Sequence, residues 1–287
     1  MYTLSNDKLS ISVSPIGAQL CSLYAKETEY LWQPGHETWP HSSMLLFPNP
    51  GRIAHGRTII GGKVYPANMH GFANDLPFEL VEQTEDRLVL ELCDNETTQK
   101  YYPYSFRLQV EFLLKGDTLI QNFHVINEGE QPLYYCLGAH PGFYCPIMLG
   151  EQAEDYSLVF DTPQKLYKLE LEENTRLLTG NKRVYLDNTD EIPLHDHFFD
   201  DGPMLFDGIE AKTITLQSKK SGRFVEMGIE GFPHMCLWGV PTRMSLIAIE
   251  PWIGTSDRAD TNHIWEEKPG IQKIETEQTH TLTFRMG

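Results

Sequence analysis

Apolar residues in this chain recur at every second position, in runs too short for helices and broken by glycine, proline or charged turns. The clearest case is Phe106–Leu114 and Thr118–Ile126 on either side of Lys115-Gly116-Asp117. Successive side chains of a strand point to opposite faces, so this pattern buries one face of a sheet and wets the other. Leu9-Ser10-Ile11-Ser12-Val13-Ser14 alternates in the same way and stops at Pro15 and Gly17. Further strands are predicted at Gln19–Tyr24, Glu29–Trp32, Tyr156–Phe160, Thr213–Leu216, Arg223–Ile229, Met235–Val240, Ser245–Ile249 and Thr279–Arg285. Thr58–Tyr65 reads as a hairpin about Gly61-Gly62, and Phe78–Leu92 as another about Thr84–Arg87. Helical signal is confined to Asp94–Lys100, capped by Asp94 or Asn95 and stopped before Pro103. The pattern predicts an all-β, antiparallel sandwich or barrel with few short helices. No internal repeat or low-complexity linker divides it, so residues 1–287 are expected to form one domain.

Charge narrows the partners. A formal net charge of -17 repels nucleic-acid phosphates and anionic membranes. A neutral small molecule is compatible with it, whereas a phosphorylated one needs a local basic patch. The cysteines Cys21, Cys93, Cys136, Cys145 and Cys236 are odd in number and lack C-x-x-C spacing. They are expected to be free thiols in a reducing cytoplasm, not a disulfide framework or zinc knuckle. Met1–Asp7 shows no basic segment leading into an apolar run, and no run approaches membrane-spanning length.

Several polar residues sit where a strand pattern does not call for them. The apolar run Leu133–Leu137 delivers His140 to Pro141-Gly142, which reads as a turn at the strand's end. An imidazole there titrates near neutrality and can give or take a proton. Ile247-Ala248-Ile249-Glu250-Pro251-Trp252 ends a doubly buried strand on a carboxylate. Burying that charge unpaired costs several kcal/mol, so Glu250 needs a partner or a task, and desolvation makes it more basic. Arg52 follows the tight Pro48-Asn49-Pro50-Gly51 bend, and an ion pair between it and Glu250 is the structural alternative. His70 precedes Gly71 and the flat ring of Phe72. His195-Asp196-His197, and Cys136 with His140 and Cys145, have the look of metal-ligand pairs, but spacing indicates no third ligand and no metal is expected. A phosphate-cradling glycine loop and a G-x-S-x-G elbow are absent from the sequence.

In order along the chain come Pro50-Gly51-Arg52-Ile53, His70-Gly71-Phe72, His140-Pro141-Gly142-Phe143, Ser221-Gly222-Arg223 and Ile249-Glu250-Pro251-Trp252. This series resembles the aldose 1-epimerase (galactose mutarotase) family, in its shorter bacterial branch, over nearly the whole chain from about Leu4 to Phe284. The resemblance implies a β-supersandwich and a cofactor-free, metal-free sugar cleft. It implies His140 as general acid, Glu250 as general base, and Arg52 and His70 as substrate-binding residues. It also implies an aspartate on the sugar hydroxyls, assigned to Asp201 with Asp196 as the alternative. Phe72 and Trp252 are expected to stack on the sugar, with Phe143 and Trp238 as further aromatic candidates. The Pro141-Gly142 that follows His140 departs from the best-known members.

The expected reaction interconverts the α and β anomers of a hexose. A base removes the proton of the hydroxyl on carbon 1, an acid protonates the ring oxygen, and the opened chain rotates before closing. Each positioned proton transfer contributes ~10²–10⁴-fold. The two groups are pictured on opposite sides of the ring. A hexose 6-phosphate substrate would call on Arg57, Lys63, Arg243, Arg258 or Lys268. Other readings are a non-catalytic sugar-binding protein of the same fold and a metal-dependent cupin-type enzyme using His195 and His197. The partner is a small sugar, and the chain is expected to be a monomer or homodimer.

Overall fold

The computed structural model describes residues 1–34 and 39–287. Two large sheets dominate it. The nine-stranded sheet runs Thr189–Pro193, Tyr156–Gln164, Thr213–Ser218, Phe224–Gly228, Glu277–Met286, Thr118–Asn127, Phe106–Lys115, Arg87–Cys93 and Glu79–Gln83. The seven-stranded sheet runs Leu178–Val184, Tyr167–Leu171, Met204–Asp207, His234–Gly239, Leu246–Ile253, Leu137–Tyr144 and Ser43–Leu46. Ladders in both are antiparallel, as hairpin connections allow. A four-stranded meander covers Tyr2–Glu29, and two short two-stranded pairs complete the β-supersandwich. Among the described residues helical structure is limited to five 3₁₀ turns. One of them, Thr98–Lys100, falls where a turn was expected, with Asn95 Oδ1 accepting from the N–H groups of Thr97 and Thr98.

Alternation explains how the sheets pack. Phe112, Val110 and Leu108 of one sheet and Leu45, Ala139, Ile249, Leu237 and Phe206 of the other belong to one buried cluster. Phe143 meets Phe284 across it at 6.5 Å between ring centres. The alternate positions of the seven-stranded sheet form a separate, smaller cluster of Leu46, Leu205, Cys236 and Trp252 on its other face. One face of this sheet therefore makes the core and the other is free to carry a site.

Two expectations change here. The run Leu133–Leu137 is not one strand: Leu133–Tyr135 pairs with Gln272–Ile274, and Leu137–Tyr144 starts a second strand. Pro141-Gly142 is not a turn, because that strand continues through it to Tyr144. Glu250 likewise lies inside Leu246–Ile253. Pairing of these two strands is recorded at Gly138↔Trp252 and again at Gly142↔Ala248, with a gap between. Pro141 and Pro251 fall in the gap, and neither has an N–H to give the ladder. The strands Tyr167–Leu171, Leu178–Val184 and Thr189–Pro193 escaped sequence reading because they lie at or next to sheet edges. There most side chains are wet, and apolar alternation is not required.

Ile249 is 1% exposed on the core face of the strand that carries Glu250. Ile249→Ala is expected to lower unfolding free energy by about 2–5 kcal/mol, read by urea denaturation. A loss below ~1 kcal/mol would show that this face is not packed as described.

Candidate active site

One row of side chains crosses the free face of the seven-stranded sheet. Met44 pairs with His140, and Leu205 with Cys236, which pairs in turn with Glu250. The register between Leu137–Tyr144 and Leu246–Ile253 sets His140 opposite Glu250. These residues floor a cavity of about 470 Å³, walled by Trp39, Trp238, Trp252, Arg52 and His70. That volume lies within the range of small-molecule sites.

The glycines beside His140 make the cavity possible. Gly138 and Gly142 share its face of the strand. A Cβ on Gly138 would lie 2.8 Å from Trp252 Cδ1, and one on Gly142 would lie 2.6 Å from Trp39 Cζ3. The Pro-Gly step after His140 thus clears a slot in which Trp39 stacks on the imidazole, at 4.8 Å and 24°.

His140 Nε2 lies 3.2 Å from Glu250 Oε1, and both residues are buried, at 7% and 1% exposure. Their other polar atoms, His140 Nδ1 and Glu250 Oε2, are buried and have no hydrogen-bond partner. Burial pushes the Glu250 carboxyl well above its ordinary range, opposed by the Cys236 thiol and the Trp252 indole. The indole contact falls short of hydrogen-bond geometry, since Trp252 Nε1 is itself unpartnered. Burial drives the imidazole the other way, well below 6.5, and the neighbouring His70 adds to it. Both shifts favour the neutral pair, with one proton held between the two groups.

Arg52 and His70 come from two loops that are bonded together. Gly51 N–H donates to His70 Nδ1 at 3.1 Å, and His70 N–H donates to the Gly51 carbonyl at 3.0 Å. The first bond fixes the neutral tautomer with its proton on Nε2. Burial and the charge of Arg52 hold His70 down to about 4. Gly71 is required beneath it: φ is +75°, and a Cβ would lie 2.1 Å from the Phe47 carbonyl oxygen. Arg52 N–H donates to Ser256 Oγ at 3.0 Å, and Asp257 N–H donates to the Arg52 carbonyl at 2.8 Å. Asp257 is held in turn by Lys268 in a buried ion pair. The segment after the Glu250 strand therefore clamps the loop that carries Arg52.

The structure brings His140, Glu250, Arg52, His70 and Trp252 to one cavity. Phe72 is elsewhere, packed in the core against Phe47 at 6.2 Å and close to Tyr102. Phe143 points into the core from the strand's other face. Asp201 is exposed outside the cavity, where its backbone carbonyl accepts from Arg176. Asp196 is also outside, accepting from the Met244 N–H at 2.8 Å. His195 and His197 are exposed on the same loop, with His197 bonded to Asp200. No ion pair joins Arg52 to Glu250 among the described residues; His140 has that place. Sequence reading missed Trp39, His41, Cys236 and Arg176. Cys236 was readable in retrospect, as the residue facing Glu250 on a neighbouring strand. Arg176 sits after Glu172-Glu173-Asn174-Thr175, which reads as a solvated turn.

Fold and site together define a mutarotase-like β-supersandwich with a buried imidazole–carboxylate pair on the free face of its smaller sheet. The model of the aldose 1-epimerase family matches residues 1–232, and the chain belongs to that family. The plasmid and chromosomal LacX proteins of Lactococcus lactis subsp. lactis are each 32% identical over 279 residues, 94% of this chain and 93% of theirs. The solved structure of a galactose mutarotase related enzyme from Lactobacillus acidophilus matches with a TM-score of 0.93 and 27% identity, over 100% of this chain and 97% of that one. A galactose mutarotase-like protein from Lactobacillus casei has the same fold, with a TM-score of 0.92, 24% identity and full coverage of both chains.

A carboxyl whose folded-state value is raised contributes full stability below its unfolded value and loses it as pH rises. Glu250 is such a group. Glu250→Gln, which carries no charge, is therefore expected to gain about 1–3 kcal/mol on the parent between pH 5 and pH 8. Denaturant titration at both pH values checks this. A variant that loses ground to the parent at pH 8 would show that the carboxylate is well solvated or paired.

Proposed function

We propose that the protein is an aldose 1-epimerase that interconverts the anomers of a hexose by cofactor-independent acid–base catalysis. The observation that carries this reading is the contact of His140 with Glu250 at 3.2 Å on the cavity floor. The unpartnered Oε2 and Nδ1 add to it. Buried polar atoms left without a partner are uncommon where a pair serves structure alone.

A contact this short supports an acid and a base acting from one side of the ring, not from opposite sides. That suits the reaction, because the hydroxyl oxygen and the ring oxygen are both bonded to carbon 1. With the shared proton moved from Glu250 to His140, Glu250 takes the hydroxyl proton while His140 gives the shared proton to the ring oxygen. The C1–O5 bond breaks with its electron pair going to the ring oxygen, and a carbonyl forms at carbon 1. Rotation about the bond between carbons 1 and 2 turns the other carbonyl face to the ring oxygen. Closure then runs the same transfers backward, so the pair ends with the single proton it began with. Sugar hydroxyls donating to the Glu250 carboxylate would favour the charged form the base requires. Arg52 and the Nε2–H of His70 would anchor the ring oxygens, and Trp252 its apolar face. The cysteines are free and three of them are buried, which supports a reducing compartment such as the cytoplasm.

Polarimetry on freshly dissolved α-glucose and α-galactose tests the proposal. Glu250→Gln and His140→Asn are each expected to lose at least ~10²-fold in rate. Variants as fast as the parent would remove the pair from the reaction. The pH profile of kcat/KM is expected to be bell-shaped, with limbs belonging to the pair. Its acid limb should lie below 6.5, because burial opposes a second proton on the pair. An acid limb at or above 6.5 would contradict the buried, neutral arrangement.

A further inference from the structure

Burial favours the neutral pair, yet the proposed reaction calls for its charged form. When the shared proton passes from Glu250 to His140, an imidazolium and a carboxylate stand on a floor that is 7% and 1% exposed. Unless a neighbour favours that state, the proton stays on Glu250.

The imidazole is enclosed by rings. Trp39 lies against one face, with ring centres 4.8 Å apart and planes 24° apart. Trp238 meets the imidazole edge-on at 6.1 Å, and His70 does so at 5.7 Å. Trp238 also meets Trp39 edge-on at 5.8 Å and braces the stack from the side. The stack covers a face of the imidazole and leaves its Nε2 edge on Glu250 Oε1. The negative face of an indole attracts a cation, and the attraction grows where water is excluded. It therefore favours the imidazolium over the neutral ring.

The backbone holds Trp39 in this place. Its carbonyl accepts from Trp32 Nε1–H at 3.1 Å, and both indoles share a buried cluster with Leu246. Gly142, two residues after His140, donates to the Ser42 carbonyl at 2.8 Å and accepts from the Trp32 N–H at 2.9 Å. The strand that carries His140 thus ties down the chain on both sides of Trp39. This cluster is separate from the main core, so closing the sandwich does not itself call for an indole here. The titratable groups that act on the imidazole are Glu250, His70 and His41, with Arg52 acting on His70 and Cys236 on Glu250. The two histidines oppose a cation at His140, which leaves Glu250 and the indole face to favour it.

We infer that Trp39 is a positioning residue of the reaction: its indole holds the plane of His140 and stabilises the imidazolium formed as the shared proton leaves Glu250. The inference rests on the mutarotase reading and deepens it.

The test compares Trp39→Leu, which keeps bulk without a ring, with Trp39→Phe, which keeps a ring face. Exchange NMR would follow anomer exchange on glucose and galactose, free and 6-phosphorylated, using the sugar the parent turns over fastest. Trp39→Leu is expected to lower kcat ~10-fold with KM within ~3-fold, and Trp39→Phe to be at least ~3-fold faster than Trp39→Leu. The acid limb of kcat/KM should move to lower pH in Trp39→Leu, because the cation loses a stabilising partner. In the NMR spectrum of the protein, the His140 ring signals, identified by their loss in His140→Asn, should lose an upfield ring-current shift in Trp39→Leu. A Trp39→Leu enzyme as fast as the parent, an unmoved acid limb, or a Phe variant as slow as the Leu variant would overturn the inference and leave the mutarotase reading standing. A parent that exchanges none of the four sugars would overturn both.

Discussion

The structure depends most on the burial of one imidazole against one carboxylate. Desolvation alone would make Glu250 among the costliest residues in the chain, since it lies in a strand whose every residue is buried. The contact with His140 makes that burial tolerable by allowing both groups to be neutral while retaining one mobile proton. The surroundings serve the same end. Gly138 and Gly142 let indole rings close around the imidazole, and two prolines occupy the gap in the ladder behind it. Burial of this kind costs stability, as it commonly does in desolvated active sites.

The cavity is built from both sheet and loops. The imidazole–carboxylate pair is carried mid-strand, where neighbouring strands fix its spacing. Arg52, His70 and Arg176 instead stand on turns, held by backbone bonds that converge on Gly51, Asp257 and Asp201.

Much of this was legible in the sequence, for physical reasons. Period-two alternation foretold the all-β fold. The long hairpin of Phe106–Lys115 with Thr118–Asn127 needed only a Lys-Gly-Asp turn between two alternating runs. Glu250 announced itself because a carboxylate in an apolar strand demands an explanation. The errors share a cause. Pro141-Gly142 is turn chemistry by local rules, yet tertiary packing uses the glycine as a slot and keeps the strand extended. Phe72 and Asp201 were placed by sequence proximity or alignment, which says nothing about the direction of a side chain. Arg176 gave no signal at all, because it reaches the cavity through loops that meet only when the sheet is assembled.

The central claim is that His140 and Glu250 act as one proton-sharing unit. A double-mutant cycle on anomer exchange tests it most directly, with His140→Asn, Glu250→Gln and the pair combined. Residues that act as a unit are strongly non-additive. The combined variant is predicted to be no slower than the slower single variant, within about 3-fold. Losses that multiply would contradict the account, since they would mean that each residue works without the other.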